Sequence, residues 1–412
     1  MKYLLTLCLT LCLLAGCSKS DDGPYDPTNE QTLILYFPYS GLAGNIMTNL
    51  DELHKVWENR IPAKHRILVY LSAYDKTQAE LFDLTDWARE KNNPKPKKVI
   101  KSYIDPDFKT ATGIATVLND IKQAAPAKRY SMIIGCHGMG WIPAPVAQGK
   151  GVLKQSAAPK YKLHWDYTDE YGTPLSRYFG TGGITPTNTH TDVTTLADAI
   201  ASVGMHMDYI LFDVCYMAGI EVAYALRHVT DHIVGSVSEV PSRGFPYPQM
   251  GHLLLPNPDY EGICREFGDF FTHNYSSRPY GTVSLIKCAE LEALARVVKP
   301  IYAAHALITS PNEVQYYDYA DYNYYYGYQT TAMFFDMGDY IQRICTDQSL
   351  LEAFTEQLNR AVPVNCRHHT AKAIAGSTTI PIHSYSGIIT SDPLGEERCR
   401  DLVATAWWQA TH

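Results

Sequence analysis

Apolar and polar positions along the chain fall into two rhythms that alternate. Residues 32–40, TLILYFPYS, are rich in β-forming side chains, and residues 44–60, GNIMTNLDELHKVWENR, repeat their apolar positions at helical spacing. Residues 65–75, HRILVYLSAYD, return to the strand rhythm, which completes a β-α-β unit. A second set follows as VIKSYI (99–104), a helical TGIATVLNDIKQAA (112–125) that Thr112 is expected to open, and the apolar run RYSMIIGCHG (129–138). The third set is TDVTTLADAIASVG (191–204), with Thr191 and Asp192 as N-cap candidates, then MDYILFDVCYM (207–217), a helical 219–229 and a strand-like 232–240. Strands that are apolar almost without interruption need cover on both faces. The pattern therefore predicts an α/β fold with a mostly parallel central sheet flanked by helices. In such sheets, chemistry gathers at the carboxyl ends of the strands.

Residues 142–190 break this rhythm with Gly, Pro, Thr, Lys and aromatics and no sustained period, which marks a long excursion from the sheet. Beyond about residue 250 the pattern becomes mainly helical. The expected organisation is a catalytic domain over 31–250 and a mainly helical C-terminal part over 251–412 packed on it. Within that part, residues 316–328 hold eight tyrosines, which suit either a recognition surface or half-buried packing between the two parts. The sequence holds no internal repeat and no phosphate-binding loop; Gly135 to Gly140 lacks both the Lys-Ser/Thr and the dinucleotide spacing.

The N-terminus changes the picture of where the chain works. One Lys precedes an apolar run that stops at Leu14-Ala15-Gly16-Cys17, too short for a permanent membrane span and readable as a signal peptide over 1–16. Leu-Ala-Gly-Cys resembles the lipobox of bacterial lipoproteins, which implies lipidation at Cys17, attachment to a membrane through that lipid, and an outer-membrane or cell-surface address. An ordinary secretory signal would keep export and lose the lipid. Asp21-Asp22 resembles the surface-export signal of Bacteroidetes lipoproteins, and residues 17–30 read as a flexible polar tether. Removal of the signal leaves 396 residues, enough for a large core. A net charge of −8 and a pI near 6.0 argue against nucleic acid as a partner. Seven cysteines remain after the signal and Cys17 are set aside; they are scattered without CxxC pairs, so no zinc site or compact disulfide framework is favoured.

Two strand ends carry the candidate chemistry. SMIIGCHGMGW finishes an apolar run in His137-Gly138, and YILFDVCYMAG finishes one in Cys215, 78 residues further on. In a parallel sheet two such ends can lie side by side, as a thiol and its base do in cysteine peptidases. A free thiol has a pKa of about 8.5, so a neighbouring imidazole is needed to supply the thiolate near neutral pH. The amide N–H groups of Cys215 and Gly138 are the candidate oxyanion donors, with Gly138 permitting close backbone approach. Taken alone, a Cys after a buried strand is commonly a core residue.

HGMGW (137–141), FDVCYMAGIEVAYALR (212–227) and GSVSEVPSRGFPY (235–247) closely resemble the clostripain family of cysteine peptidases, which belongs with caspases, gingipains and legumain. The resemblance spans roughly residues 129–247. It implies a caspase-like sandwich and peptide or protein substrates, cleaved through an acyl-enzyme on Cys215 with His137 as general acid and base. It implies no cofactor for the chemistry. Some relatives bind calcium, but this sequence offers no EF-hand loop or other compact oxygen cage. Relatives cleave after Arg or Lys, with an Asp two residues before the Cys in the pocket, here Asp213; the alternative is an Asp that only hydrogen-bonds backbone at a strand end. The same resemblance puts Ser238 and Glu239 at the pocket wall. Arg243 departs from it, because an inward guanidinium would repel a basic substrate and neutralise Asp213. Many relatives cut themselves after the catalytic His, which makes Lys150 and Lys154 candidate self-processing sites. His368-His369, His228 and His232 read as structural, and Trp407-Trp408 as an anchor for the last helix. Two rival functions share the fold: a surface lipoprotein that binds a ligand without cleaving it, and a transpeptidase using the same dyad.

Overall fold

The computed structural model describes residues 29–38, 43–72, 77–88, 95–96, 98–142, 191–275, 277–304, 313–318, 332–375, 378–392 and 402–412. Its first strand shows why the sheet sits in the middle of the molecule. In β1 (Asn29–Phe37), Leu33, Leu35 and Phe37 enter one apolar core while Ile34 and Tyr36 enter another on the opposite face. Successive side chains of a strand point to opposite faces, so a strand buried on both must be apolar throughout.

Five strands run parallel through the centre. Beside β1 lie β2 (His65–Ser72), with Leu33 opposite Ile67, and on its other side β5 (Ala127–Gly135), with Leu33 opposite Ser131. β6 (Met207–Asp213) pairs with β5, and β7 (Thr230–Gly235) with β6. Antiparallel pairs extend both edges: β3 (Gln78–Asp83) and β4 (Val99–Ile104) beyond β2, then β8 (Thr282–Lys287) and β10 (Arg367–His369) beyond β7. The nine strands therefore run β10-β8-β7-β6-β5-β1-β2-β3-β4.

Helices cover both faces, and the sandwich is caspase-like. α1 (Ala43–Trp57) and α5 (Tyr260–Asp269) pack on one side. On the other lie α2 (Ala111–Ala124), α3 (Val193–Ser202), α4 (Ile220–Leu226), α6 (Leu291–Ala304), α7 (Met337–Ile344), α8 (Gln348–Ala361) and α9 (Ala406–Thr411). Their starts follow the expected capping chemistry with one correction: α2 is capped by Thr110, not Thr112, because Thr110 Oγ1 accepts the Gly113 N–H at 3.1 Å. Asp192 precedes α3 but makes no side-chain cap, and Thr191 instead donates to the Phe108 carbonyl at 3.0 Å. Trp407 of α9 is buried edge-on against Tyr224 of α4, at 5.4 Å between ring centres.

Three features differ from the sequence pattern. VIKSYI forms β4, but it pairs antiparallel with β3 at the sheet edge, where Ile104 is exposed, instead of opening a parallel unit. β3 itself, QAELFD, carries too mixed a polarity to stand out. The boundary drawn at residue 250 also falls within one sheet, since β8 and β10 are strands of it. A further short pair, β9 (Phe335–Asp336) with β11 (Ile389–Thr390), lies beside the turn after β6: the Ile389 N–H donates to the Ala218 carbonyl at 3.0 Å. Among the described residues, no helix is long and apolar enough to cross a membrane.

Candidate active site

The sheet register brings the two candidate residues together. Gly135 and Asp213, the last residues of β5 and β6, are paired partners on adjacent parallel strands. Each chain runs on by two residues, one to His137 and the other to Cys215. Adjacent strands lie about 4.8 Å apart, so the two loops start as neighbours from the same edge of the sheet. The loops touch just beyond. Gly140 has φ +58°, and a β-carbon there would sit 3.0 Å from the Tyr216 carbonyl oxygen, so HGMGW rests on the residue that follows Cys215.

Cys215 is presented by a sharp turn. Tyr216 adopts φ +59°, a left-handed conformation that costs a non-glycine residue on the order of 1 kcal/mol or more and must be held by its surroundings. The Tyr216 N–H donates to the Ser238 carbonyl at 3.1 Å, and its ring stacks on Phe334 with 4.9 Å between centres. Its hydroxyl donates to Glu239 at 3.4 Å. The sulfur accepts the Val240 N–H at 3.2 Å.

The dyad candidates do not open to solvent. Cys215 and His137 are each 1% exposed, and Cys215 shares a buried cluster with Val237, Val240 and Phe334. Both side chains are buried in this structure, whereas a working dyad stands in a cleft open to solvent.

The other predicted site residues ring the same turn. Asp213 is fully buried at the end of β6, and its Oδ2 accepts the Tyr247 hydroxyl at 3.0 Å. Ser238 and Glu239 are also fully buried. Ser238 Oγ lies 2.9 Å from Thr282 Oγ1, and its N–H donates to Ser236 Oγ at 3.2 Å, so this residue helps build the turn after β7. Arg243 is held by α1: its guanidinium pairs with Glu52 at 2.6 Å, and its carbonyl accepts from Asn49 at 3.2 Å. Gly138 lies in the loop between His137 and Gly140. Cys17, Lys150 and Lys154 lie outside the described residues, as does most of the tyrosine run.

Sequence reasoning missed Tyr216, Val240, Tyr247 and Thr282. None carries a sequence signal: their parts depend on backbone conformation, on a main-chain N–H, or on hydroxyls that only the fold brings near. His232 packs on Tyr260 at 4.6 Å and His369 on Tyr385 at 4.6 Å, which makes both structural. All six described cysteines, Cys136, Cys215, Cys264, Cys288, Cys345 and Cys366, are buried. Among the described residues no group of His, Cys, Asp or Glu is placed to hold a metal ion.

The clostripain family model matches residues 184–391. The chain is 38% identical to a secreted C11 cysteine protease from Bacteroides thetaiotaomicron, across 93% of this chain and 99% of that one, with a TM-score of 0.76. A clostripain from Bacteroides thetaiotaomicron, solved with the peptide inhibitor BTN-VLTK-AOMK, is 39% identical across 56% of this chain and 99% of that one, with a TM-score of 0.51. An inactive zymogen C11 protease from Parabacteroides distasonis shares the fold, with a TM-score of 0.70 at 22% identity across 94% of this chain and 99% of that one. No curated protein sequence matches.

Proposed function

This chain belongs to the clostripain family of cysteine peptidases, and from that premise we propose that Cys215 is its nucleophile and His137 its general acid and base. The observation that supports the assignment is the pairing of Gly135 with Asp213, from which the loops carrying the two residues leave one sheet edge side by side. The Cys215 thiolate attacks the scissile carbonyl, and the amide N–H groups of Cys215 and Gly138 receive the developing oxyanion. His137 protonates the leaving amine, then takes a proton from the water that releases the acyl group.

The proposed preference is for Arg or Lys before the scissile bond. Asp213 is a buried carboxylate two residues from the sulfur, and Ser238 and Glu239 lie at the neighbouring turn. A desolvated carboxylate recognises a guanidinium or ammonium strongly. The Glu52 pair answers the difficulty that Arg243 raised, because it holds that guanidinium on α1. The inhibitor bound by the related clostripain also ends its peptide in Lys.

We further propose self-cleavage near Lys150 or Lys154, as relatives cut themselves after the catalytic His. The test compares purified protein with Cys215→Ala on denaturing gels: the first separates into two chains and the second stays whole. If both remain single-chain while peptidase activity is present, self-processing is wrong. Export and lipidation at Cys17 follow the same reading, supported by a relative described as secreted. Cys17→Ala should release the protein from membranes into the soluble fraction.

Fluorogenic peptides ending in Arg, Lys, Asp, Asn or a neutral residue, with and without an acceptor amine, test the reaction and its selectivity. Hydrolysis after Arg or Lys that vanishes in Cys215→Ala supports the proposal. Cleavage that survives the substitution refutes the dyad. Products carried by the amine instead of water would mark transpeptidation.

A further inference from the structure

Strand pairing fixes the backbone only as far as Gly135 and Asp213. Beyond those residues the two loops leave the sheet, and a misplacement of about 1 Å between reacting groups can cost about 100-fold in rate. The loops are joined a second time from behind. The Trp141 indole N–H, at the end of the His137 loop, donates to Ser391 Oγ at 2.8 Å. The Ser391 main-chain N–H donates to Glu221 Oε1 at 3.0 Å, and Thr390 Oγ1 donates to the same oxygen at 3.0 Å. Glu221 stands in the first turn of α4, directly after the Cys215 turn. The Ile389 N–H completes the attachment at the Ala218 carbonyl. Trp141, Glu221 and Ser391 are all buried, so water does not compete for these bonds.

We propose that Ser391, through Trp141 on one side and Glu221 on the other, is a positioning residue that sets the His137 loop against the Cys215 loop. The inference rests on the dyad assignment above. A residue that only bolted the C-terminal segment to the sheet would need a bond to one loop. Ser391 uses its backbone for one loop and its side chain for the other, and the two bonds share no atom. Glu221 is built for holding rather than for reaction: one oxygen takes both donors, and the residue lines a small cavity with Tyr302, Tyr340, Trp407 and His412.

The experiment measures kcat and KM on the active protein for the unsubstituted chain, Ser391→Ala, Ser391→Thr, Trp141→Phe and the double variant Ser391→Ala/Trp141→Phe, with Cys215→Ala as control. It adds the pH dependence of Cys215 alkylation by iodoacetamide and the thermal midpoint of each. The expected result is a fall in kcat of about ten-fold in Ser391→Ala and in Trp141→Phe, with KM within about two-fold, and no further loss in the double variant. Ser391→Thr keeps the hydroxyl and most of the rate. The alkylation midpoint moves in Ser391→Ala, which a purely structural bond would not cause. The proposal is overturned if both single variants keep full kcat while Cys215→Ala is inactive. It is equally overturned if the losses multiply in the double variant, or if they follow the fall in thermal midpoint with the alkylation profile unchanged. Should Ser391→Ala fail to fold, Trp141→Phe removes the same bond from its other end and decides the matter. Activity in Cys215→Ala would instead overturn the dyad assignment itself.

Discussion

Two buried acids flank Cys215, and they meet different partners. Asp213 ends β6, and its carboxylate is met by the hydroxyl of Tyr247. Glu221 begins α4 and is met by Thr390 and Ser391 of the C-terminal segment. Burial pushes the Glu221 carboxyl up to about 7, against the three hydrogen bonds that lower it. The role proposed for Asp213, toward a cationic guest, sets it apart from Glu221 eight positions on, whose hydrogen-bond donors belong to its own chain. Their partners separate them, since the sequence shows the same residue class at both.

The largest expected effect comes from removing the chemistry that both acids serve. Cys215→Ala and His137→Ala should each lower kcat/KM by at least about 10⁴-fold with little change in the fold, measured with the best fluorogenic peptide. Retention of activity in either would leave the comparison without a centre. Next, Asp213→Asn should lower kcat/KM for Arg and Lys peptides by about 100-fold or more and leave neutral-residue peptides within a few-fold. Equal losses on both kinds of peptide would make Asp213 a structural residue like Glu221.

The Glu221 side is sharpened by pH. A carboxyl whose folded value lies above its unfolded one binds its proton more tightly in the folded state. Its contribution is complete below about pH 4.5 and is lost as pH rises through about 7. That loss is on the order of 3 kcal/mol, and Glu221→Gln should remove it from the difference in urea stability between pH 5 and pH 8. An unchanged difference would mean that the carboxyl titrates normally. The smallest effect calibrates the others: Thr110→Ala removes the α2 cap, far from both acids, and should cost about 1 kcal/mol of stability with kcat unaltered.

The parallel centre of the fold was legible because burial on both faces leaves an unmistakable mark, the continuous runs LILYF, RILVYL, MIIG and YILF. His137 and Cys215 were legible for the same reason, each standing where such a run stops. The edge strand β3 was not, since its residues mix polarity, and VIKSYI was legible as a strand but not in its antiparallel place at the edge. The left-handed turn at Tyr216 left no trace either, because the residue there is a tyrosine where conformational preference would point to glycine. Ser391 could not be read as a partner of Trp141 across 250 positions, because a hydrogen bond made by a lone serine has no period or spacing to reveal it. The burial of Cys215 was hidden as well: its apolar cluster joins residues from both halves of the chain, Met139 and Phe334 among them.

The central claim, that the sulfur at position 215 and the ring at position 137 act as a pair, is tested most directly by active-site labelling. The active protein is treated with a peptidyl acyloxymethyl ketone ending in Lys and the modified residue is identified by peptide mass spectrometry. The account predicts a single adduct on Cys215, formed rapidly in the unsubstituted protein and at least about 100-fold more slowly in His137→Ala. An adduct on any of the other cysteines, or labelling of Cys215 at an undiminished rate without the His137 ring, would contradict it.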